Sequence, residues 1–584
     1  LCGAFCLSFL PGCITPPQHP PNIILVITDD QGFGDLSRHG NPILQTPHLD
    51  AMAERSVRWD RFYVSPVCAP TRASLMTGRY NYRTRVVDTY IGRAMMETSE
   101  VTLAEVLAQA GYATGLFGKW HLGDNYPMRP IDQGFEESLM HRGGGIGQPS
   151  DPVGGERKYT DPVLLLNGKE APYAGYCTDV FFSSALSWID RVRADRPFFA
   201  YIAPNAPHGP YHDVPDSLYR HYAALDLSRV IAQHPPGLPA APGADPDVTA
   251  RTYAMIANVD ENIGRLFARL EAMGELDRTI VLFMVDNGPE DRRFVGAMRG
   301  RKSEVYEGGI RSPLFVHWPG RFPARDVEGV VAAHIDLFPS LLDAAGVSPP
   351  AGVQVDGRSL LAAWRGEPFS DGGRTITIQS HRGDRPSRYH QFASITRRWK
   401  LVHNSGFDRD SLASVPAFAL YDIERDPHEA NDLSSTFPDT VRAMVQRYDA
   451  WFEDVSTTRP DNYAPPRIVV GHAAEPRSTL TRQDWRYPGT HGAGGWHRDA
   501  LGYWLVDVAA PADYAIEVRF RAETEDGRLT LKTGSGVHEL PLAPGDSSAT
   551  LPRIPLSAGP QRIEVVLTYP SVERGPIQVD ISRT

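Results

Sequence analysis

Cysteine is scarce: Cys2, Cys6, Cys13, Cys68 and Cys177 are the only ones in 584 residues. Three of them crowd the first few positions, so the chain carries no disulfide framework. There is no surplus of positive charge either, because 59 Lys+Arg face 70 Asp+Glu for a formal net charge of −11. Bulk electrostatics of that sign repel a phosphate backbone and leave nucleic acid no footprint. An anionic substrate would need a local cationic pocket. No apolar run is long enough to span a bilayer, and no internal repeat period is visible. What remains is an ordinary globular composition, 41% hydrophobic and 22% charged, with a length that predicts about three or four structural units.

Residues 1–28 contain no Lys, Arg, Asp or Glu, and the apolar run Leu1–Leu10 reads as the hydrophobic part of a truncated export signal. Leu10-Pro11-Gly12-Cys13 resembles a bacterial lipoprotein box, although Pro11 is unusual there. It implies a possible lipid anchor through Cys13 and an exported protein, periplasmic or at the cell surface. A frayed apolar tail is the bland alternative. Residues 1–21 are thus assigned to signal and spacer.

Asn22–Thr28 is an unbroken β-branched run, the pattern of a strand buried on both faces of a parallel sheet. Leu103, Val106, Leu107 and Ala110 recur at helical spacing before Gly111, and the strand Ala113–Phe117 follows. Ile256, Val259, Ile263, Leu266 and Leu270 repeat the device before the strand Thr279–Val285. The alternation predicts an α/β domain over 22–374, a central mostly parallel sheet flanked by helices. Short strands at Thr375–Gln379, Phe392–Ile395 and Trp399–Val402 precede an amphipathic helix carrying Val441, Met444, Val445, Tyr448, Trp451 and Phe452. They predict a small antiparallel α+β subdomain over 375–457. Beyond the linker-like Ser456–Pro466, period-two alternation (Tyr514, Ile516, Val518, Phe520; Ile563, Val565, Leu567) predicts an all-β sandwich within 458–584.

Ligands of open α/β sheets gather outside the carboxyl ends of the strands, and each predicted buried strand here ends in polar residues. The first runs into Asp29-Asp30, the strand at Thr279 into Asp286-Asn287, the strand ending at Phe117 into Lys119 and His121, and Phe198–Ala203 into Asn205 and His208. Taken singly, Asp29-Asp30 also reads as a helix cap and Asp286-Asn287-Gly288 as a turn. Taken together they are buried carboxylates in need of a cation. The all-oxygen set Asp29, Asp30, Asp286 and Asn287 suits Ca²⁺ or Mg²⁺ better than zinc.

The most specific stretch is Cys68-Ala69-Pro70-Thr71-Arg72 followed by Ala73-Ser74-Leu75-Met76-Thr77-Gly78-Arg79. Pro70 fits the first turn of a helix, so Cys68 stands at an N-terminus where anions are favoured, with Arg72 one turn along. On these grounds Cys68 is a reactive low-pKa thiol, a buried structural cysteine, or half of a bridge to Cys177.

These residues resemble the signature of the type I, formylglycine-dependent sulfatases of the alkaline-phosphatase-like superfamily, among them bacterial arylsulfatases and polysaccharide sulfatases. Gly118–Gly123, Ala206-Pro207-His208, Asp286-Asn287-Gly288, Lys302 before Tyr306–Pro313, and Leu420–Pro427 resemble family blocks in the same order, over roughly Pro21 to Val455. The resemblance implies that a maturation enzyme oxidises Cys68 to Cα-formylglycine, whose hydrate attacks sulfur. It implies one Ca²⁺ held by Asp29, Asp30, Asp286, Asn287 and residue 68. Arg72, Lys119 and Lys302 would hold the diol and sulfate, His121 would act as base, and a protonated His208 would act as acid on the leaving oxygen. His334 is left structural, and Asp124, Arg129, His212 and Asp213 become candidates for the pocket wall. Ala69 and the charged run Pro289–Arg293 depart from the family pattern. The implied function is hydrolysis of sulfate esters on a sulfated carbohydrate; the alternatives are a phosphonate or phosphodiester hydrolase of the same superfamily, or a non-catalytic glycan-binding lipoprotein.

Overall fold

The computed structural model describes residues 20–584 apart from 153–156, 232–244, 384, 408–411, 413, 460–463 and 488–492. β1 is Asn22–Thr28, every residue of it buried. Ile23, Leu25 and Ile27 join one core while Ile24 and Val26 join the other. A strand covered on both faces has no polar positions to alternate with, which is why it is written as a continuous apolar run.

The sheet around it contains β2 (Val57–Tyr63), β3 (Ala113–Gly118), β4 (Glu137–Met140), β5 (Val163–Leu166), β6 (Lys169–Pro172), β7 (Phe198–Ala203), β8 (Thr279–Val285), β9 (Arg311–His317), β10 (Arg325–Val327) and β11 (Ala332–Ala333). Its order is β10-β2-β9-β8-β1-β7-β3-β4-β5-β6, with β11 also on β2. The central strands β8, β1, β7, β3 and β4 are mutually parallel, whereas β9 and β5 reverse direction. The parallel centre brings the carboxyl ends of β1, β3, β7 and β8 to one edge.

Helices Leu103–Gln109 and Leu337–Ala345 cover the face with Ile23, and Cys177–Val192 and Pro246–Met273 cover the other. Thr102 and Glu105 form a reciprocal capping box that starts the first of these. The long helix Pro246–Met273 has Asp245 as its N-cap and ends at Gly274, in the left-handed region at φ 71°. It begins well before the periodic run at Ile256 because its first turns bury Thr249, Thr252 and Tyr253, residues an apolar pattern passes over.

The antiparallel strands Ile376–Gln379, Phe392–Ile395, Trp399–His403 and Ala419–Asp422 lie side by side in chain order. Helix Pro438–Ser456 packs its predicted apolar face into their core. Last comes a sandwich. One sheet holds Ile468–Val470, Tyr503–Val508, Gly559–Thr568, Gly527–Thr533 and Gly536–Leu542; the other holds Arg477–Thr481, Gln578–Arg583, Ala512–Arg519 and Ser548–Leu556. Its alternating Tyr514, Ile516, Val518, Ile563, Val565 and Leu567 share one core, which Met95 and Met128 of the α/β part also enter.

The signal-like segment with Cys2, Cys6 and Cys13 lies outside the described residues, as does part of the linker-like stretch. Among the described residues no helix is long and apolar enough to cross a membrane. Cys68 and Cys177 are both buried and free, so the bridge between them does not form.

Candidate active site

Helix Cys68–Thr77 is buried along its whole length and begins after an extended Val67 with no side-chain cap. It is fastened by Thr71, whose Oγ1 donates to the Asp286 carbonyl (2.7 Å) and accepts from the Ser65 N–H (3.0 Å). This sets Cys68 against the strand ends. Ligand atoms of Asp29, Asp30, Cys68 and Asp286 all lie within 4.8 Å of one another.

Fixed cations surround this cluster. Fully buried Arg72 donates through Nη2 and Nε to Asp286 Oδ2 (2.7 and 3.2 Å) and through Nη1 to the Lys119 carbonyl (3.0 Å), joining the ends of β8 and β3. Lys119 Nζ lies 2.6 Å from Asp29 Oδ2. Lys302 Nζ lies 2.8 Å from Asp30 Oδ2 and 3.0 Å from Glu290 Oε2. Asn287 donates its amide nitrogen to Asp30 Oδ1 (2.8 Å). Eight of the ten residues named from the sequence therefore gather at one edge; the positions of the other two, His121 and His208, follow.

His208 Nδ1 lies 2.7 Å from the Gly209 carbonyl, which makes Nδ1 the protonated nitrogen and turns Nε2 toward Asp30 Oδ2 at 3.7 Å. His121, at a left-handed φ of 61°, places Nε2 2.7 Å from the Thr89 carbonyl, so its Nδ1 is the free lone pair. That Nδ1 is buried without a partner.

Burial alone would raise Asp30, but Lys302, His208 and Lys119 outweigh it and hold the carboxyl well below the usual range. Asp286 is instead pushed up to about 6, by burial and by Asp29 beside it, against Arg72. Arg72, Lys119 and Lys302 match the three carboxylates in formal charge, so the case for a further cation rests on oxygens that none of them reaches. Asp29 Oδ1 and Asn287 Oδ1 are buried acceptors without a donor. Orphaned oxygens beside a strained carboxylate set fit a hard divalent cation.

One reading needs correction. Burial and the Asp29 carboxylate push the Cys68 thiol well up, so the helix N-terminus does not make a low-pKa thiol here. In the substrate-free site His208 is pushed down to about 4, by burial first, with Lys302 and Lys119 countering the pull of Asp30, so the protonated form expected of it is one that a bound sulfate has to favour.

The pocket-wall candidates separate. Asp124 accepts the Gly143 N–H at 2.8 Å, whereas Arg129 pairs with Asp132 and reaches the Ala474 carbonyl, and Asp213 holds Thr160. These two brace the fold. His334 contacts Ser65 Oγ at 3.2 Å, a structural role. In the charged run, Arg293 pairs with Asp35 and donates to the Asp30 carbonyl (2.8 Å), while Glu290 meets Lys302.

Sequence reasoning missed the loop Gly143–Gln148. A Cβ at Gly144 would stand 2.5 Å from His121 Cε1, and one at Gly145 2.9 Å from His208 Cε1, so only glycine lets the backbone lie against both rings. The clustered glycines were the available signal. It also missed Gln483, which reaches His121 from the sandwich.

The sulfatase family profile matches residues 21–347, more than half of the chain, and a profile for the C-terminal part of N-sulphoglucosamine sulphohydrolase matches 301–448. The chain belongs to the sulfatase family. It is 33% identical to human arylsulfatase A over 478 residues, 73% of this chain and 87% of that one. It is 31% identical to dog N-acetylgalactosamine-6-sulfatase over 390 residues, 62% of this chain and 69% of that one. Among solved structures, Ps i-CgsB in complex with k-i-k-neocarrahexaose superposes with a TM-score of 0.63 at 26% identity, covering 75% of this chain and 94% of the other. As a sulfatase, the chain is a sulfuric ester hydrolase. Both matched profiles end before the sandwich begins.

Proposed function

We propose that this sulfatase removes sulfate from a sulfated carbohydrate, with residue 68 as the nucleophilic centre beside one Ca²⁺. The observation that carries the reading is the convergence of Cys68, three carboxylates, the buried cations Arg72 and Lys119 and the partly buried Lys302 at the carboxyl edge of the sheet. The neocarrahexaose complex of Ps i-CgsB supports a carbohydrate substrate. Asp29, Asp30, Asp286, Asn287 and residue 68 would hold the calcium, which as a Lewis acid would lower the pKa of the attacking hydroxyl and neutralise sulfate oxygens. Cys68 would be matured to Cα-formylglycine by a dedicated enzyme, supplying a hydrated aldehyde as nucleophile.

The chain's own groups then have separable tasks. Arg72 holds Asp286 and the end of β3 in place, so the nucleophile is fixed before substrate enters. Lys119 and Lys302 present donors where the three sulfate oxygens carry charge in the transition state. His121 Nδ1 is the acceptor for a proton leaving residue 68. His208 Nε2 faces the cluster and would deliver a proton to the departing sugar oxygen; an incoming sulfate adds the negative charge that favours its protonated form. We assign 22–374 to the catalytic unit, 375–457 to the antiparallel subdomain and 458–584 to linker and sandwich, and we take the protein to be exported.

The test joins mass and turnover. The peptide containing Cys68, isolated from the native host, should be lighter than the thiol form by about 18 Da, the difference from thiol to aldehyde in elemental arithmetic, and the full chain should hydrolyse 4-nitrophenyl sulfate faster than the phosphate or phosphonate. Cys68→Ala should abolish turnover and leave the melting temperature in place. An unmodified thiol would favour a non-catalytic glycan-binding protein. Strong phosphonate turnover with negligible sulfate turnover would move the chain to the neighbouring hydrolases of its superfamily.

A further inference from the structure

We infer that the β-sandwich is a working part of the catalytic site, and that Gln483 is a positioning residue which fixes His121 through the Thr89 carbonyl. The inference rests on the reading of His121 as a group that serves the reaction.

Gln483 is buried on the turn that follows the sandwich strand Arg477–Thr481. Its Nε2 donates to the Thr89 carbonyl at 2.7 Å, the same oxygen that His121 Nε2 approaches at 2.7 Å. The two nitrogens lie 3.4 Å apart. Both are donors to one acceptor, so their contact is packing and not a hydrogen bond. A carbonyl with two lone pairs can serve both, and occupation of both holds the imidazole in a single tautomer, hydrogen on Nε2 and lone pair on Nδ1. With the amide removed, the Thr89 peptide and the ring could both turn.

The sandwich also grips the chain just after Thr89 and just after that histidine. Gly92 donates its N–H to the Gln483 carbonyl (3.4 Å), and Arg486 donates to the Ile91 carbonyl. Past His121, Asn125 Nδ2 donates to the Thr479 carbonyl (2.9 Å) and the Tyr126 N–H donates to Glu475 Oε2 (3.2 Å). His121 itself sits in the left-handed region, a conformation a non-glycine residue keeps only when its surroundings over-determine it. The sandwich supplies much of that surrounding. A domain that merely bound distant sugar would have no reason to place a buried amide 3.4 Å from a site histidine.

The experiment is a double-mutant cycle on the full chain with 4-nitrophenyl sulfate. A single positioning hydrogen bond corresponds to a loss of about three- to tenfold, so Gln483→Leu should lower kcat by that factor with KM within about twofold and the melting temperature kept. Added to His121→Ala, the same substitution should cost nothing further, because its effect passes through the ring. Wild-type kcat in Gln483→Leu, or a loss that adds in full to His121→Ala, overturns the inference while leaving the role of His121 standing. Wild-type activity in His121→Ala overturns both. Should Gln483→Leu lose its cooperative melt, Gln483→Met keeps the length and removes the donor without adding a charge, and the same expectations apply to it.

Discussion

Arg72 and Asp286 are both fully inaccessible, and the guanidinium spends two donors on one carboxylate oxygen and a third on the Lys119 carbonyl. Arg72→Met keeps the bulk and deletes the charge, leaving Asp286 buried next to Asp29 without its counter-ion. Breaking a buried pair from one side costs about 3–5 kcal/mol. Asp286→Asn relieves that repulsion, so Arg72→Met/Asp286→Asn should be more stable than the sum of its parts predicts, by about 1–3 kcal/mol. Urea unfolding of the full chain, once with chelator and once with calcium, measures each corner of the cycle. Calcium at a hundredfold excess over its Kd stabilises a chain that binds it only when folded by about 2.7 kcal/mol. That increment should shrink in Asp286→Asn, which replaces a charged ligand by a neutral one, and survive in Arg72→Met, which alters none. A cost for Arg72→Met under about 1 kcal/mol, strict additivity of the pair, or a calcium increment unchanged by Asp286→Asn would refute the reasoning.

Glu290 is half exposed and shares Lys302 with Asp30, so it competes with an incoming sulfate for that ammonium. Glu290→Gln should lower KM for 4-nitrophenyl sulfate by about two- to fivefold, the range an exposed ion pair can account for, with kcat unchanged; a raised KM would show instead that Glu290 helps to place the lysine. Burial pushes His334 down to about 3, so the unfolded chain takes up a proton below pH 6.5 that the folded chain refuses. Its contribution is whole above pH 6.5 and is lost as pH falls toward 3, at about 1.4 kcal/mol per unit. Chemical unfolding compared at pH 6.5 and pH 5 should therefore show a loss about 2 kcal/mol smaller in His334→Gln; equal slopes would mean that the group titrates normally.

Much of this was legible in the chain itself. Local patterns wrote the strands: Asn22–Thr28 and Thr279–Val285 fall where the apolar runs end, because a strand covered on both faces must be apolar throughout. Carboxylates and cations placed just after those runs, together with the motif around Cys68, marked the site before any geometry was known. The parallel order of β8, β1, β7 and β3 turned sequence distances of hundreds of residues into one edge. Tertiary structure alone decided the protonation states. The helix N-terminus favoured a thiolate at Cys68, but desolvation and Asp29 reversed that preference, and His208 was lowered by the same burial that brought it to the cluster. Only the packed molecule could show that Gly144 and Gly145 lie against the two histidines, or that Gln483 reaches His121 from another domain. Sequence patterns carry what each segment needs from its own neighbours; desolvation and the sharing of one carbonyl depend on every group that folding brings near, and no local pattern records them.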